Sequence, residues 1–276
     1  MGGERSGARA AGSYFERTGP DTYTPTSHTQ GPWNPEHQHA GPTVALTTRA
    51  VEHCLATSGG DPLDVGRITC EILAPLTLAP MTVRARLERP GKRVRLVRAE
   101  LDQRGRTVLT ASAWAVAHAP GDLPVRSAPA AVPHRPPEGL PSVDPTRRPE
   151  WDCGFMASVE WRFADGGFGR PGPAAVWARP RIPLLAGEAV SPLQRLLLTA
   201  DSANGVSAEL PIDRWLSISP ELTVHVARLP RGPWLCLDAE TSAGPGETGL
   251  ATGRLWDGEG LVARSAQCLL LAPQSR

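Results

Sequence analysis

Two histidines, His37 and His39, lie two residues apart beside Glu36, a grouping that could bind a metal ion. No fourth ligand follows at a spacing usual for zinc, so we expect no metal site. His39 and Gly41 instead lead into a segment of helical periodicity. The free amides and positive dipole end of such a helix could hold a phosphate or a polarised oxygen. The alternative is a plain loop at the entry of the helix.

The segment from Gly244 to Gly249 matches the glycine spacing of a dinucleotide-binding loop, G-x-G-x-x-G. That motif requires a helix after it, whereas here a strand-like segment follows at residues 250–256. We therefore interpret it as a hairpin loop. The chain also has no G-x-S-x-G motif, which disfavours the serine nucleophile of an α/β-hydrolase.

The overall composition excludes several classes of partner. A formal net charge of +1 over 276 residues argues against nucleic acid, which requires a basic face. No apolar run approaches the ~20 residues of a membrane span, and the stretch from Met1 to Ser13 lacks the apolar core of a signal peptide. The five cysteines are odd in number and never spaced C-x-x-C, so we expect no disulfide framework and a cytoplasmic location.

The chain divides almost in half at a proline-rich stretch, residues 119–149, which holds nine prolines. Prolines at this density cannot continue a helix or a central strand, so the stretch predicts an extended linker. We predict an N-terminal unit over residues 13–118, a linker over 119–150 and a C-terminal unit over 151–273.

Each half begins with a proline-led helical segment, at residues 41–58 and 191–204. Proline suits the first helical position because its missing N–H would be unpaired there, and Ser191 is a good N-cap. Strand-like segments follow each helix. They cover residues 67–73, 81–87, 93–101 and 107–117 in the first half, and 216–218, 222–229, 234–240, 250–256 and 261–271 in the second.

The two halves therefore form an internal repeat. Aligning their prolines places Asp201 on Val51, and aligning their last strands places Gln267 on Ser112. The second unit thus carries a carboxylate and an amide that the first lacks. A sheet wrapping one long helix, twice in one chain, predicts an α+β architecture.

Four segments carry a resemblance to a known family: GPWNPEHQHAGPTVAL at 31–46, LTADSANGVSAEL at 198–210, WLSISPELTVHVARLP at 215–230 and ARSAQCLLL at 263–271. With the repeat, they make the chain resemble the thioesterase II (TesB-like) acyl-CoA thioesterases over nearly its whole length. The resemblance implies a double hotdog fold.

The resemblance also implies an Asp/Thr/Gln site that orients a water for thioester hydrolysis. The aspartate falls on Asp201 and the glutamine on Gln267. The threonine falls on Ser217, which is a departure, and a slipped alignment would use Ser219 instead. A serine keeps the hydroxyl donor and acceptor but loses the β-branched methyl.

We therefore predict a hydrolase that cleaves an acyl-CoA or acyl-carrier thioester, with Asp201 as the base. No cofactor is expected, because CoA enters as part of the substrate. Trp33, His39, Gly41 and Asn204 are predicted to contact the substrate, with His39 and Gly41 near a thioester oxygen or a CoA phosphate. A homo-oligomer is possible for this fold.

Two other functions stay open on the sequence. One is a dehydratase, cyclase or other tailoring enzyme of acyl or polyketide metabolism on the same fold. Hotdog hydratases resemble one another in having a histidine a few residues after the aspartate, and none follows Asp201, which counts against a hydratase. The other is a non-catalytic module that binds acyl thioesters.

Overall fold

The structure is a computed structural model that describes residues 12–124 and 131–274. The predicted helices are α1 (Ala40–Thr57) and α3 (Pro192–Ala200). Between them lies the short α2 (Gly154–Ser158), and α4 (Ala203–Val206) follows α3 after a turn. The helix predicted up to about residue 204 is therefore interrupted at Asp201 and Ser202.

Thirteen strands are present in the described ranges. Those of the first half are β1 (Phe15–Arg17), β2 (Thr22–Pro25), β3 (Asp64–Ile72), β4 (Met81–Arg89), β5 (Val94–Gln103) and β6 (Arg106–Val116). Those of the second half are β7 (Val159–Asp165), β8 (Ala174–Pro180), β9 (Trp215–Ile218), β10 (Glu221–Val226), β11 (Leu235–Ser242), β12 (Gly249–Asp257) and β13 (Gly260–Pro273). The sequence did not predict β1, β2, β7 or β8.

The strands form one antiparallel sheet in the order β1-β2-β4-β5-β6-β3-β10-β13-β12-β11-β8-β7, with β9 paired to β13. The order is symmetric, because each strand counted inward from one end has a counterpart at the same position from the other end. Strands β3 and β10 pair at the centre. Thr69 lies opposite Thr223 there, and their hydroxyls are 3.1 Å apart. The predicted α+β architecture and its duplicated unit are confirmed. The strands of the two halves join edge to edge through β3 and β10.

The helices α1 and α3 pack against each other and against the sheet. The Glu52 carboxylate of α1 accepts hydrogen bonds from Ser191 Oγ at 2.7 Å and Gln194 Nε2 at 2.6 Å, at the start of α3. Burial raises the pKa of Glu52 above its usual value, although these hydrogen bonds act in the opposite direction. The contact fixes the two helices side by side.

The described residues of the proline-rich stretch form 3-10 turns and one isolated bridge, between Val143 and Trp161. The turn at Pro137–Gly139 lies near β7, where Arg162 donates to the carbonyl of Pro137 at 2.8 Å. Pro129 and its neighbours lie outside the described residues. The unit boundaries at 118 and 151 stay a prediction. Over the ranges that the structure describes, none of the helices combines the length and apolarity needed to span a membrane.

Candidate active site

Asp201 follows the last residue of α3 and is buried, with 6% of its surface exposed. The helix starts in a capping box between Ser191 and Gln194 and buries Leu193, Leu196 and Leu197 against the core. Capping at the start and apolar packing along the helix fix its axis, and hence the position of the carboxylate at its end.

Gln267 lies on β13 and is fully buried. Ser265, Gln267 and Leu269 are buried and alternate with half-buried or exposed residues, which places the glutamine on the inner face of the sheet. Its Nε2 donates to Asp201 Oδ1 at 3.4 Å and to Ser219 Oγ at 3.2 Å. The predicted Asp201 and Gln267 are therefore adjacent.

The hydroxyl beside Gln267 is that of Ser219. Ser219 is buried and donates to the carbonyl oxygen of Glu221, so its Oγ is held in place while it accepts from Gln267. Ser217 lies on β9 opposite Leu271, and its carbonyl accepts from Asn204 Nδ2 at 2.8 Å. In the described part of the chain, no hydrogen bond joins Ser217 Oγ to Asp201 or Gln267.

His39 reaches Asp201 from the other half of the chain. It is the N-cap of α1, and its Nδ1 lies 3.0 Å from Asp201 Oδ2. Its ring stacks on Phe155, with centroids 3.7 Å apart and an interplanar angle of 16°. The sequence predicted His39 as a substrate contact but gave no sign that it touches the aspartate.

Gly41 allows the two helix ends to approach. A β-carbon at this position would lie 2.7 Å from the carbonyl oxygen of Leu198 and 3.5 Å from Asp201 Oδ2. Any other residue would therefore push α1 away from α3. The N-terminus of α1, which carries partial positive charge, therefore lies beside the Asp201 carboxylate.

A cavity of about 340 Å³ borders this cluster. The residues that line it include the predicted contacts Trp33, His39 and Asn204 and the cluster of Asp201, Ser219 and Gln267. Among the described residues, the predicted contact Gly41 is not part of this lining. Apolar side chains form another part of the wall, namely Ile72, Leu73, Leu76 and Ile218. The cavity therefore joins an apolar surface to a buried polar cluster, as ligand sites commonly do.

Cys70 is a buried thiol close to the same carboxylate. Burial raises the pKa of Cys70, and the negative charge of Asp201 raises it further. The thiol is therefore protonated at neutral pH and is a poor nucleophile. Over residues 12–124 and 131–274, no three histidine, cysteine or acidic side chains are grouped as metal ligands would be.

The strand register corrects one detail of the repeat. Thr69 and Thr223 are opposite each other, and their neighbours on β6 and β13 are Ser112 and Ala266. When the two threonines are taken as equivalent positions, Gln267 corresponds to the next residue of β6, Ala113, and not to Ser112. Alanine at this position makes the first unit even less polar than the sequence alignment indicated.

Comparison with known proteins places these features in a family. Residues 29–116 match the model of the acyl-CoA thioesterase N-terminal domain, and residues 136–271 match that of the C-terminal domain. No curated protein matches the sequence.

Solved structures of similar fold cover almost the whole chain. A thioesterase II candidate from Thermobifida fusca YX is 22% identical, with a TM-score of 0.72 over 94% of this chain and 95% of that one. The acyl-CoA thioesterase II TesB2 from Mycobacterium marinum is 18% identical, with a TM-score of 0.65 over 95% and 96%. At such low identity these structures support the fold alone, and they confirm the double hotdog. Because the two family models together match most of its length, the chain belongs to the acyl-CoA thioesterase family and is a thioester hydrolase of that type.

Proposed function

We propose that this chain hydrolyses acyl-CoA or acyl-carrier thioesters in the cavity beside Asp201, with a water activated at that carboxylate. The observation that carries the proposal is a buried carboxylate, hydrogen-bonded to Gln267 and bordering a cavity with apolar walls. The proposed step uses no cofactor, since CoA belongs to the substrate.

Thioester hydrolysis does not require the protein to protonate the leaving group. A thiol titrates near 8.5, so the thiolate departs without a strong acid to protonate it. Hydrolysis instead needs a water in line with the carbonyl carbon, negative charge to activate that water, and donors for the oxygen that becomes an anion. Asp201 supplies the negative charge.

Gln267 and Ser219 support the proposal by fixing the carboxylate. Gln267 Nε2 bridges Asp201 Oδ1 and Ser219 Oγ, while Ser219 is itself anchored to Glu221. The Oε1 atom of Gln267 is buried and has no hydrogen-bond partner in the described residues. A buried acceptor without a partner is costly, so this atom is suited to a bound water.

The apolar wall favours an acyl chain over a short polar group. Ile72, Leu73, Leu76 and Ile218 line the cavity within reach of the polar cluster. Burial of each methylene contributes about 0.8 kcal/mol, so acyl groups of several carbons should bind more tightly than acetyl.

The proposed function is tested by measuring thiol release from a panel of acyl-CoAs, from acetyl to palmitoyl, and from one acyl-carrier protein thioester. We expect release that is proportional to protein concentration and faster for the longer acyl groups than for acetyl. Binding of the panel without thiol release would contradict hydrolysis and favour a binding module.

One observation supports the alternative function as a dehydratase or other tailoring enzyme. His39 contacts Asp201, although the two residues are distant in sequence. An aspartate and a histidine facing one cavity is also the pair that a hydratase would use. The same panel should therefore include an α,β-unsaturated acyl-CoA. Loss of the double bond without release of thiol would identify hydration.

The two serines offer a matched test of the site. Ser219→Ala should lower kcat/KM roughly tenfold, because Gln267 loses the anchor that positions it against Asp201. Ser217→Ala should leave kcat/KM unchanged, since only the main chain of Ser217 takes part in its hydrogen bond. If Ser217→Ala lowered kcat/KM in a steady-state assay and Ser219→Ala did not, the hydroxyl role would belong to Ser217.

We further propose a reducing compartment, the cytoplasm, for this reaction. All five cysteines are free, and Cys70, Cys153 and Cys236 are buried. A homo-oligomer stays a prediction.

A further inference from the structure

The contact between His39 and Asp201 determines which ring nitrogen of His39 carries the proton. His39 Nδ1 lies 3.0 Å from Asp201 Oδ2 and 3.1 Å from the amide nitrogen of Gly41. Nδ1 has either a proton or a lone pair, so it cannot both donate to the carboxylate and accept from the amide. Against an ionised carboxylate the donating form is favoured, because two lone pairs would repel each other. The proton of a neutral His39 therefore lies on Nδ1.

The other nitrogen of the ring, Nε2, then carries a lone pair. His39 lines the cavity and has 13% of its side chain exposed. Within the part of the chain that the structure describes, Nε2 has no hydrogen-bond partner. The stack on Phe155 and the bond to Asp201 hold the ring in one orientation. An oriented imidazole with a free lone pair is what a general base requires.

We infer that His39 Nε2 receives the proton of the attacking water, and that Asp201 orients the imidazole and stabilises its charged form. This inference rests on the proposed thioester hydrolysis, but it moves the acceptor of the water's proton from the Asp201 carboxylate to the imidazole that the carboxylate orients. A neutral imidazole is a stronger base than an ionised carboxylate, and so the better proton acceptor near neutral pH. The base then comes from the N-terminal half of the chain, and Asp201 and Gln267 come from the C-terminal half.

The step balances without any further reactant. An O–H bond of water breaks as the new C–O bond forms, and the proton moves to Nε2. Collapse of the tetrahedral intermediate breaks the C–S bond, and the departing thiolate takes the proton back from Nε2. The products are the acid and the thiol, and His39 is neutral again.

The test uses two substitutions in the full chain, assayed with the best acyl-CoA of the panel. His39→Asn keeps a favoured N-cap residue at the start of α1 but removes the base. We expect kcat to fall about 100-fold or more, with KM and Tm close to the wild-type values. In His39→Ala, added imidazole should restore part of kcat, and substituted imidazoles should restore more as their basicity rises. His53→Ala, at an exposed histidine of the same helix, is the control that should behave as wild type.

A His39→Asn variant with kcat within a few-fold of wild type would overturn the inference, as would a folded His39→Ala variant that no imidazole rescues. If His39→Ala does not fold, the asparagine variant alone decides. Failure of the proposed function is distinguishable, because the wild-type protein would then release no thiol from any substrate. An active wild type, an inactive Asp201→Asn and an active His39→Asn would refute only the role of His39.

Discussion

Replacement of Asp201 by asparagine should lower kcat/KM by about 1,000-fold or more while the protein stays folded. The change removes the negative charge that Gln267 donates to and that faces His39 Nδ1. Proton transfer from the water then loses the carboxylate that supports it, and general base assistance typically contributes about 10²–10⁴-fold. Loss of electrostatic stabilisation at the same atom adds to the effect. The measurement is steady-state thiol release, with Tm to confirm folding.

The matched control is Asp213→Asn, at an exposed aspartate in the loop before β9. It should have wild-type kinetics, because its carboxylate lies outside the polar cluster. If Asp201→Asn retained full activity on a good substrate, the mechanism proposed here would be wrong even though the family assignment would stand.

Replacement of Asp257 by alanine should lower the free energy of unfolding more than any other substitution proposed for this chain. This carboxylate is fully buried and accepts two hydrogen bonds from Arg228 and two from the amides of Arg231 and Glu259. Removing one partner of a buried ion pair typically costs about 3–5 kcal/mol. Arg228 is one-third exposed, so we expect about 3 kcal/mol and a fall in Tm of roughly 6–12 °C by calorimetry.

The ion pair between Arg228 and Asp257 also predicts how the loss of stability in Asp257→Ala depends on pH. Burial alone would raise the pKa of Asp257, but the bonds from Arg228 and the two amides outweigh it and lower the pKa below its usual value. A depressed pKa stabilises the folded protein above the unfolded-state value of about 3.9, and this contribution disappears as the pH falls through the folded value. The difference in Tm between wild type and variant should therefore be constant near neutral pH and shrink below about pH 4. A constant difference down to pH 2 would contradict this account.

Several strands with clear alternation were predicted from the sequence, and most of those that were missed are short or evenly buried. Strand β4 alternates buried and exposed residues at its start and was found. Strand β8 is buried over five consecutive residues, so it has no period-two pattern, and β1 has only three residues. A short or doubly covered strand carries too little periodic signal to be recognised.

The site shows a similar division. Asp201 and Gln267 were predicted because the repeat and the family resemblance both indicated them, and the structure places the two side chains next to each other. Ser217 and Ser219 could not be separated, because residues two apart on a strand have the same pattern. The choice depends on where β9 ends, at Ile218, and on how the chain then bends toward β10. The contact of His39 with Asp201 joins distant parts of the sequence, and no local pattern encodes it.

The central pairing of β3 with β10 sets how the chain can be divided. A break in the peptide chain near residues 119–124 would leave this pairing and the helix contacts intact, so two nicked fragments could remain associated. A half expressed alone would expose β3 or β10 as an unpaired edge, and such edges recruit other strands, including those of a second copy. The two halves are therefore better suited to fragment complementation than to use as independent modules, since each supplies the edge strand that protects the other from aggregation.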